Sequence, residues 1–236
     1  MRQAIGFQNI AGESRLRLLP SPWPQDALPP PTASLLSIAS RKGLLAAAGP
    51  ESVIIASTDT VREAYNVSEG GNLKPFSPEL TLDLGTRISQ VEFSADEELL
   101  ILSAENGGGL AVYEVPSLLQ GKKQSAFQLA TNGTALRALL PNPTAEKSGL
   151  LAVVTAHGQL MIASLKSRQF VTGSQGQVLQ EGVSSVSWSN RGKQLVAGLA
   201  SGRCVQMTPE GAVKAEISAP PGLEGDQHGM FYAHTA

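Results

Sequence analysis

The chain has 236 residues, 42% hydrophobic and only 16% charged, which excludes wholesale disorder and allows one large all-β domain or two small domains. Its formal net charge is −2, and its Lys and Arg residues are scattered, with the densest spot at Lys122-Lys123, so we expect no direct binding to nucleic acid. The single cysteine, Cys204, excludes an internal disulfide and indicates a reducing compartment, and we expect neither a secretion signal nor a membrane-spanning segment.

Residues 1–33 differ in composition from the rest of the chain. The stretch from Ser14 to Leu19 is a candidate strand, of the kind that completes the last sheet of a closed repeat fold. The stretch from Pro20 to Thr32 holds six prolines in 13 residues, which predicts a stiff, extended crossing outside any sheet. We therefore expect residues 1–33 to form an N-terminal strand and a proline-rich crossing.

Four similar segments follow, and they indicate an internal repeat. Each has a short apolar strand, a polar turn, a more continuously apolar strand and a glycine-bearing turn into a third strand. The segments span residues 34–57, 91–115, 138–165 and 186–207. Their central strands contain leucines that lie 55, 51 and 45 residues apart, namely Leu44, Leu99, Leu150 and Leu195.

Runs with a period of two separate these segments and are typical of half-exposed outer strands. They span residues 78–85, 125–131, 170–180 and 212–218. The central strands are almost entirely apolar, which is expected of strands buried on both faces. Sheets fanned around a common axis bury their middle strands in this way.

The sequence therefore predicts an all-β fold, a WD40-like β-propeller with four degenerate blades over residues 34–219. Residues 220–236 show no strand period and are expected to be irregular. A β-sandwich or another repeated-sheet fold is the alternative. The tail suggests a truncated product, and four blades with the curvature of a larger ring would form an incomplete propeller, an open arc.

Two motifs invite a catalytic or phosphate-binding interpretation, but their context favours simpler ones. The glycines Gly107, Gly108 and Gly109 precede a predicted strand, whereas a phosphate-binding loop needs a helix after it, so a hairpin turn is expected. The carboxylates Asp96, Glu97 and Glu98 lie on a predicted hairpin turn, where solvated charges are the usual finding.

The residues that could bind metal or perform catalysis are too scattered to define a site. The histidines His157, His228 and His234, together with Cys204, have no metal-ligand spacing. A Gly-x-Ser-x-Gly motif is absent from the sequence. We therefore assign no catalytic, cofactor-binding or metal-binding residue, and we expect no enzyme activity, no cofactor and no small-molecule substrate.

The stretch from Arg15 to Ala64 resembles the opening of a known propeller family. The features that carry the resemblance are the SPWP run, the proline crossing, the SRKGLLAAAG hairpin and the VIIAST strand. They resemble the N-terminal β-propeller of the fungal nucleoporin at the cytoplasmic face of the nuclear pore, a relative of the vertebrate nucleoporin CAN. The resemblance continues through VEFSADEELLILSA and extends over roughly residues 5–225.

The resemblance implies a non-catalytic docking platform of the nuclear pore complex. In that family the propeller holds a DEAD-box RNA helicase for mRNA export, alongside other nucleoporins. The family propeller has seven blades and its docking surface lies largely on the later ones, so no partner-binding residue is assigned to this sequence. A generic WD-type interaction scaffold of another cytosolic assembly is the alternative function.

Overall fold

The computed structural model describes residues 18–19, 21–66, 77–173 and 176–217. Within them, sixteen strands form four antiparallel sheets of four strands each, and in every sheet the spatial order of the strands follows the sequence. We call the sheets blades one to four in chain order. The predicted WD40-like propeller of four blades is confirmed, and the alternative of a two-sheet sandwich is wrong.

Each blade runs from an inner strand to an outer edge strand. Blade one contains β1 Leu36–Ala39, β2 Leu44–Ala48, β3 Ser52–Ser57 and β4 Leu80–Asp83. Blade two contains β5 Ile88–Phe93, β6 Leu99–Ala104, β7 Leu110–Glu114 and β8 Phe127–Leu129. Blade three contains β9 Leu136–Pro141, β10 Leu150–Thr155, β11 Leu160–Ser164 and β12 Gln169–Phe170. Blade four contains β13 Val183–Trp188, β14 Leu195–Leu199, β15 Cys204–Met207 and β16 Val213–Ile217.

The hydrophobic core lies between successive blades. In blade two, Leu100 and Tyr113 pair across the sheet and pack toward blade one, whereas their neighbours Ile101 and Val112 pack toward blade three. A third cluster joins blades three and four. Burying one such aliphatic side chain contributes about 1.5–3 kcal/mol, so each sheet is stabilised by its neighbours.

Among the described residues, no buried cluster joins blade four to blade one, so the blades form the expected open arc.

Three helical segments, which the repeat pattern did not predict, lie in the connections. They are α1 Thr58–Asn66, α2 Val115–Leu119 and a 3₁₀ turn at Ala145–Lys147. Helix α1 begins where the Ser57 hydroxyl accepts hydrogen bonds from the backbone N–H groups of Asp59 and Thr60, at 3.1 and 3.4 Å. No helix in the described ranges is long and apolar enough to cross a membrane.

The predicted N-terminal strand, Ser14 to Leu19, lies largely outside the described residues. Its last two residues, Leu18 and Leu19, are not in a strand; they pack on the face of blade one that points away from blade two. The tail from residue 220 also lies outside the described residues.

The sequence predicts one outer strand over residues 170–180, and this prediction is wrong, because the strand is interrupted. Strand β12 covers only Gln169–Phe170, and the chain returns to the sheet edge at Gln180, which bridges Leu160. Between these points Gly173 pairs with Gly176. The pairing with β11 is therefore not continuous, so the alternating pattern there does not mark one continuous strand.

Candidate docking surface

The loops between strands form two faces of the arc, and either face is available to a partner. One face carries the β1–β2, β5–β6, β9–β10 and β13–β14 turns, and we call it the lower face. The connections that contain α1 and α2 lie on the same side, because they follow the third strand of their blades. The upper face carries the turns between second and third strands and the crossings from one blade to the next.

On the lower face, a carboxylate of blade two clamps the first turn of blade one. Glu97 accepts hydrogen bonds from the backbone N–H groups of Arg41 and Lys42, at 3.2 and 2.9 Å. The Arg41 guanidinium lies 3.5 Å from the same carboxylate and also donates to the carbonyl of Ala95. The Lys42 ammonium pairs with Glu98 at 2.8 Å. The carboxylates at 96–98, expected to be merely solvated, therefore hold two blades together.

These contacts affect the acidity of two carboxylates. Burial would raise the pKa of Asp96, but hydrogen bonds from Ser94, from Ser148 and from the backbone N–H of Glu98 outweigh it and lower the pKa below its usual value. Desolvation would also raise the pKa of Glu97, but the backbone N–H groups of Arg41 and Lys42 and the positive charge of the Arg41 guanidinium outweigh it and lower the pKa. Both groups are therefore firmly ionised near neutral pH.

The linkage between turns continues along the whole arc. Ser148, whose side chain helps to lower the pKa of Asp96, belongs to the β9–β10 turn of blade three and so lies close to blade two. In that same turn Asn142 is fully buried, and its amide donates to the carbonyl of Gly192 in blade four at 2.8 Å. We call this series of contacts from blade one to blade four the turn network. It fixes the relative positions of the lower-face turns.

On the upper face, glycines allow close backbone approach. Gly107 and Gly109 both have positive φ, and a Cβ on either would overlap a backbone carbonyl, that of Gly133 or of Leu129 respectively. Strand β7 follows directly at Leu110. The prediction that Gly107–Gly109 form a hairpin turn is confirmed. The glycines allow the backbone of this turn to pack closely against the backbone at the end of β8 and in the crossing to blade three.

The inner strands of blades one and two share a half-buried carboxylate, Glu92. Glu92 on β5 accepts a hydrogen bond from the Ser37 hydroxyl of β1 at 2.8 Å, and Ser37 in turn accepts the backbone N–H of Phe93 at 3.2 Å. Desolvation raises the pKa of Glu92, and the hydrogen bonds to Ser37 and Phe93 offset this only in part. Nearby, buried Gln90 donates to the Thr32 carbonyl at 2.8 Å, which ties the proline-rich crossing to blade two.

The remaining residues considered from the sequence do not converge on one point. His157 is exposed in the β10–β11 turn, Cys204 is half-buried on β15, and Lys122 and Lys123 are exposed after α2. His228 and His234 lie outside the described residues. Across the ranges that the structure covers, no three His, Cys, Asp or Glu side chains are grouped as metal ligands.

Comparison with known proteins gives a consistent result. The model of a family described as the NUP159/214 beta propeller matches residues 29–232. The chain is 52% identical to nucleoporin NUP159 of Chaetomium thermophilum over 228 residues, which is 96% of this chain and 15% of that protein. It is 30% identical to nucleoporin nup146 of Schizosaccharomyces pombe over 200 residues, 83% of this chain and 14% of that protein.

A solved structure is similar in fold. A chain in the complex of Saccharomyces cerevisiae Dbp5 with Nup159 and Gle1 superposes with a TM-score of 0.60 at 17% identity, over 85% of this chain and 48% of that one. The chain thus spans about half of that solved chain and about one seventh of the curated relatives it matches. On the strength of the family model and the 52% identity, the chain belongs to the NUP159/214 beta-propeller family.

Proposed function

We propose that this chain acts as a non-catalytic docking platform at the cytoplasmic face of the nuclear pore complex. The observation that carries the proposal is the 52% identity to a fungal NUP159 over 96% of the chain. The fold supports it, because the turn network holds the lower-face turns of all four blades in fixed positions, and a rigid, loop-bearing surface suits protein binding.

The partner that we propose is a DEAD-box RNA helicase engaged in mRNA export, together with other nucleoporins. The solved complex that matches in fold contains Dbp5 and Gle1 beside Nup159. This role needs no cofactor, no small-molecule substrate, no direct contact with nucleic acid and no membrane insertion. We propose residues 34–219 as the docking domain, preceded by the crossing at 1–33 and followed by a tail at 220–236.

Localisation and affinity purification test this function. A tagged copy expressed in the source organism should give a punctate signal at the nuclear rim, and purification at low salt should recover the helicase. Diffuse cytosolic signal would favour the generic interaction scaffold instead. A rim signal without recovery of the helicase would retain the pore location and reject the helicase as the partner of these four blades.

A further inference from the structure

The lower face of blades three and four carries a group of five basic side chains. They lie on three turns: the β9–β10 turn, the β11–β12 turn and the β13–β14 turn. We call them the basic cluster, which consists of Lys147, Lys166, Arg168, Arg191 and Lys193. All except the half-buried Lys147 are exposed.

Two hydrogen bonds, one between backbone groups and one from a side chain, hold the three turns side by side. The N–H of Leu165 donates to the Gly149 carbonyl at 2.7 Å, and a Cβ on Gly149 would lie 3.5 Å from the Cβ of Lys166. The β11–β12 turn therefore lies against the β9–β10 turn. Gly192, which receives the Asn142 amide, is flanked directly by Arg191 and Lys193. The cluster is thus a preorganised surface built on the turn network.

The charge of this surface is not neutralised by the protein itself. Within the described residues, none of the five cations forms an ion pair with a carboxylate, whereas Arg41 and Lys42 on the corresponding turn of blade one both do. The three turns hold five cations against one carboxylate, Glu146. The β1–β2 and β5–β6 turns hold two cations against three carboxylates. Positive charge is therefore concentrated on one half of the lower face.

We propose that the basic cluster binds an acidic, extended peptide segment of a partner protein. Charge complementarity argues for an acidic ligand, because exposed basic groups in a fixed array attract and orient negative charge. The composition of the turns argues for a peptide over RNA, since residues 142–149, 165–168 and 189–194 contain no aromatic side chain on which a base could stack. The ring of Phe127, which lies beside the cluster, is half-buried and is already covered by the Arg168 guanidinium, 5.1 Å from the ring centroid. This binding is a separate property from the helicase docking proposed above.

The test uses the whole chain and a fluorescein-labelled synthetic peptide in which glutamate alternates with serine. Fluorescence anisotropy should show binding that weakens as salt is raised, because exposed charges are screened. The Lys166→Glu/Lys193→Glu variant should lose about tenfold or more in affinity, because both substitutions reverse an exposed charge within the cluster. The Lys122→Glu/Lys123→Glu variant has the same change in net charge outside the cluster and should bind like the parent chain.

Four results would overturn the proposal. The first is an equal loss of affinity in both variants, which would indicate net charge alone. The second is equal binding of a control peptide with glutamine in place of glutamate. The third is no binding of the acidic peptide at low salt. The fourth is a labelled oligouridine that binds more tightly than the acidic peptide and is lost in the Lys166→Glu/Lys193→Glu variant, which would assign the surface to RNA. Circular dichroism of both variants verifies that the fold is intact.

Discussion

At the scale of single residues, Glu92 is a carboxylate that the fold holds in an unfavourable setting. It lies between the inner strands of blades one and two, where desolvation outweighs the hydrogen bonds that favour its ionised form, so its pKa is raised. A raised pKa means that the folded state binds the proton more tightly than the unfolded state. The contribution of Glu92 to stability is therefore fully present below pH 4.5 and is lost as pH rises through the folded-state pKa.

We expect Glu92→Gln to raise the free energy of unfolding at neutral pH, because the amide can still accept the Ser37 hydrogen bond without burying a charge. Urea unfolding of variant and parent at several pH values measures the difference. It should be largest at neutral pH and shrink as the solution is made acidic. Glu146→Gln, at an exposed turn position, should show no such trend, and a Glu92→Gln variant that is less stable at pH 7 would contradict the prediction.

At the scale of elements, the links between turns decide how the blades sit together. Asn142 is the clearest case: its amide N–H donates to Gly192, and its carbonyl oxygen accepts from the backbone N–H and the hydroxyl of Thr144, at 3.1 and 2.8 Å. The side chain is fully buried, so water cannot replace these contacts. Removing it leaves buried donors and acceptors unpaired in two blades.

We therefore expect Asn142→Ala to lower the free energy of unfolding by about 2–4 kcal/mol, the usual cost of leaving more than one buried polar group unsatisfied. Asn106→Ala, on an exposed turn of blade two, should change it by less than about 0.5 kcal/mol. Chemical denaturation followed by tryptophan fluorescence suits this comparison, because Trp188 at the same blade junction donates to the Leu140 carbonyl at 2.9 Å. Equal effects of the two substitutions would mean that the turn network is not important for stability.

The strands could be predicted from the sequence because their signal is local and repeated. An apolar run such as Leu150–Thr155 indicates a strand buried on both faces, and the outer strands of blades one, two and four are distinguished by their period of two. The same period misled at residues 170–180, where the outer strand is interrupted. Helix α1 was missed although its signals are present, with Ser57 as the capping residue and Asp59 and Arg62 spaced to form an ion pair at 2.7 Å.

The contacts of the docking surface could not be predicted. Glu97 and Arg41 are 56 residues apart, and Asn142 and Gly192 are 50 apart, so no local pattern relates them. The grouping of Lys166 with Arg191 and Lys193 likewise depends on how blade four is placed against blade three. Such groupings arise from tertiary packing, which single-sequence periodicity does not contain.

At the scale of the whole molecule, the two end faces of the arc differ. On blade one, Leu36 and Ile38 point away from blade two and are 50% and 53% exposed, although Leu18 and Leu19 cover the neighbouring β2 and β3 side chains. On blade four, the residues that point away from blade three along β13 and β15 are mostly polar, among them Ser185, Ser187 and Gln206. The inner strand at the end face of blade one is therefore more apolar than the inner strand at the end face of blade four.

This asymmetry predicts how the chain by itself associates. Among the described residues, the end face of blade one carries two exposed apolar side chains on its inner strand, whereas the exposed Ile217 at the end face of blade four lies on the outer strand. We therefore expect two copies to meet through the end face of blade one, which gives a closed dimer and not an extending chain. Sedimentation velocity over a range of concentrations should show a monomer–dimer equilibrium. Leu36→Thr/Ile38→Thr retains strand propensity, removes the apolar surface and should shift the equilibrium to monomer.

The control is Leu119→Gln, which removes a side chain that is 55% exposed on α2, away from this face, and should leave the dimer unchanged. A parent chain that stays monomeric at all concentrations would show that the apolar surface at Leu36 and Ile38 is too small to drive association.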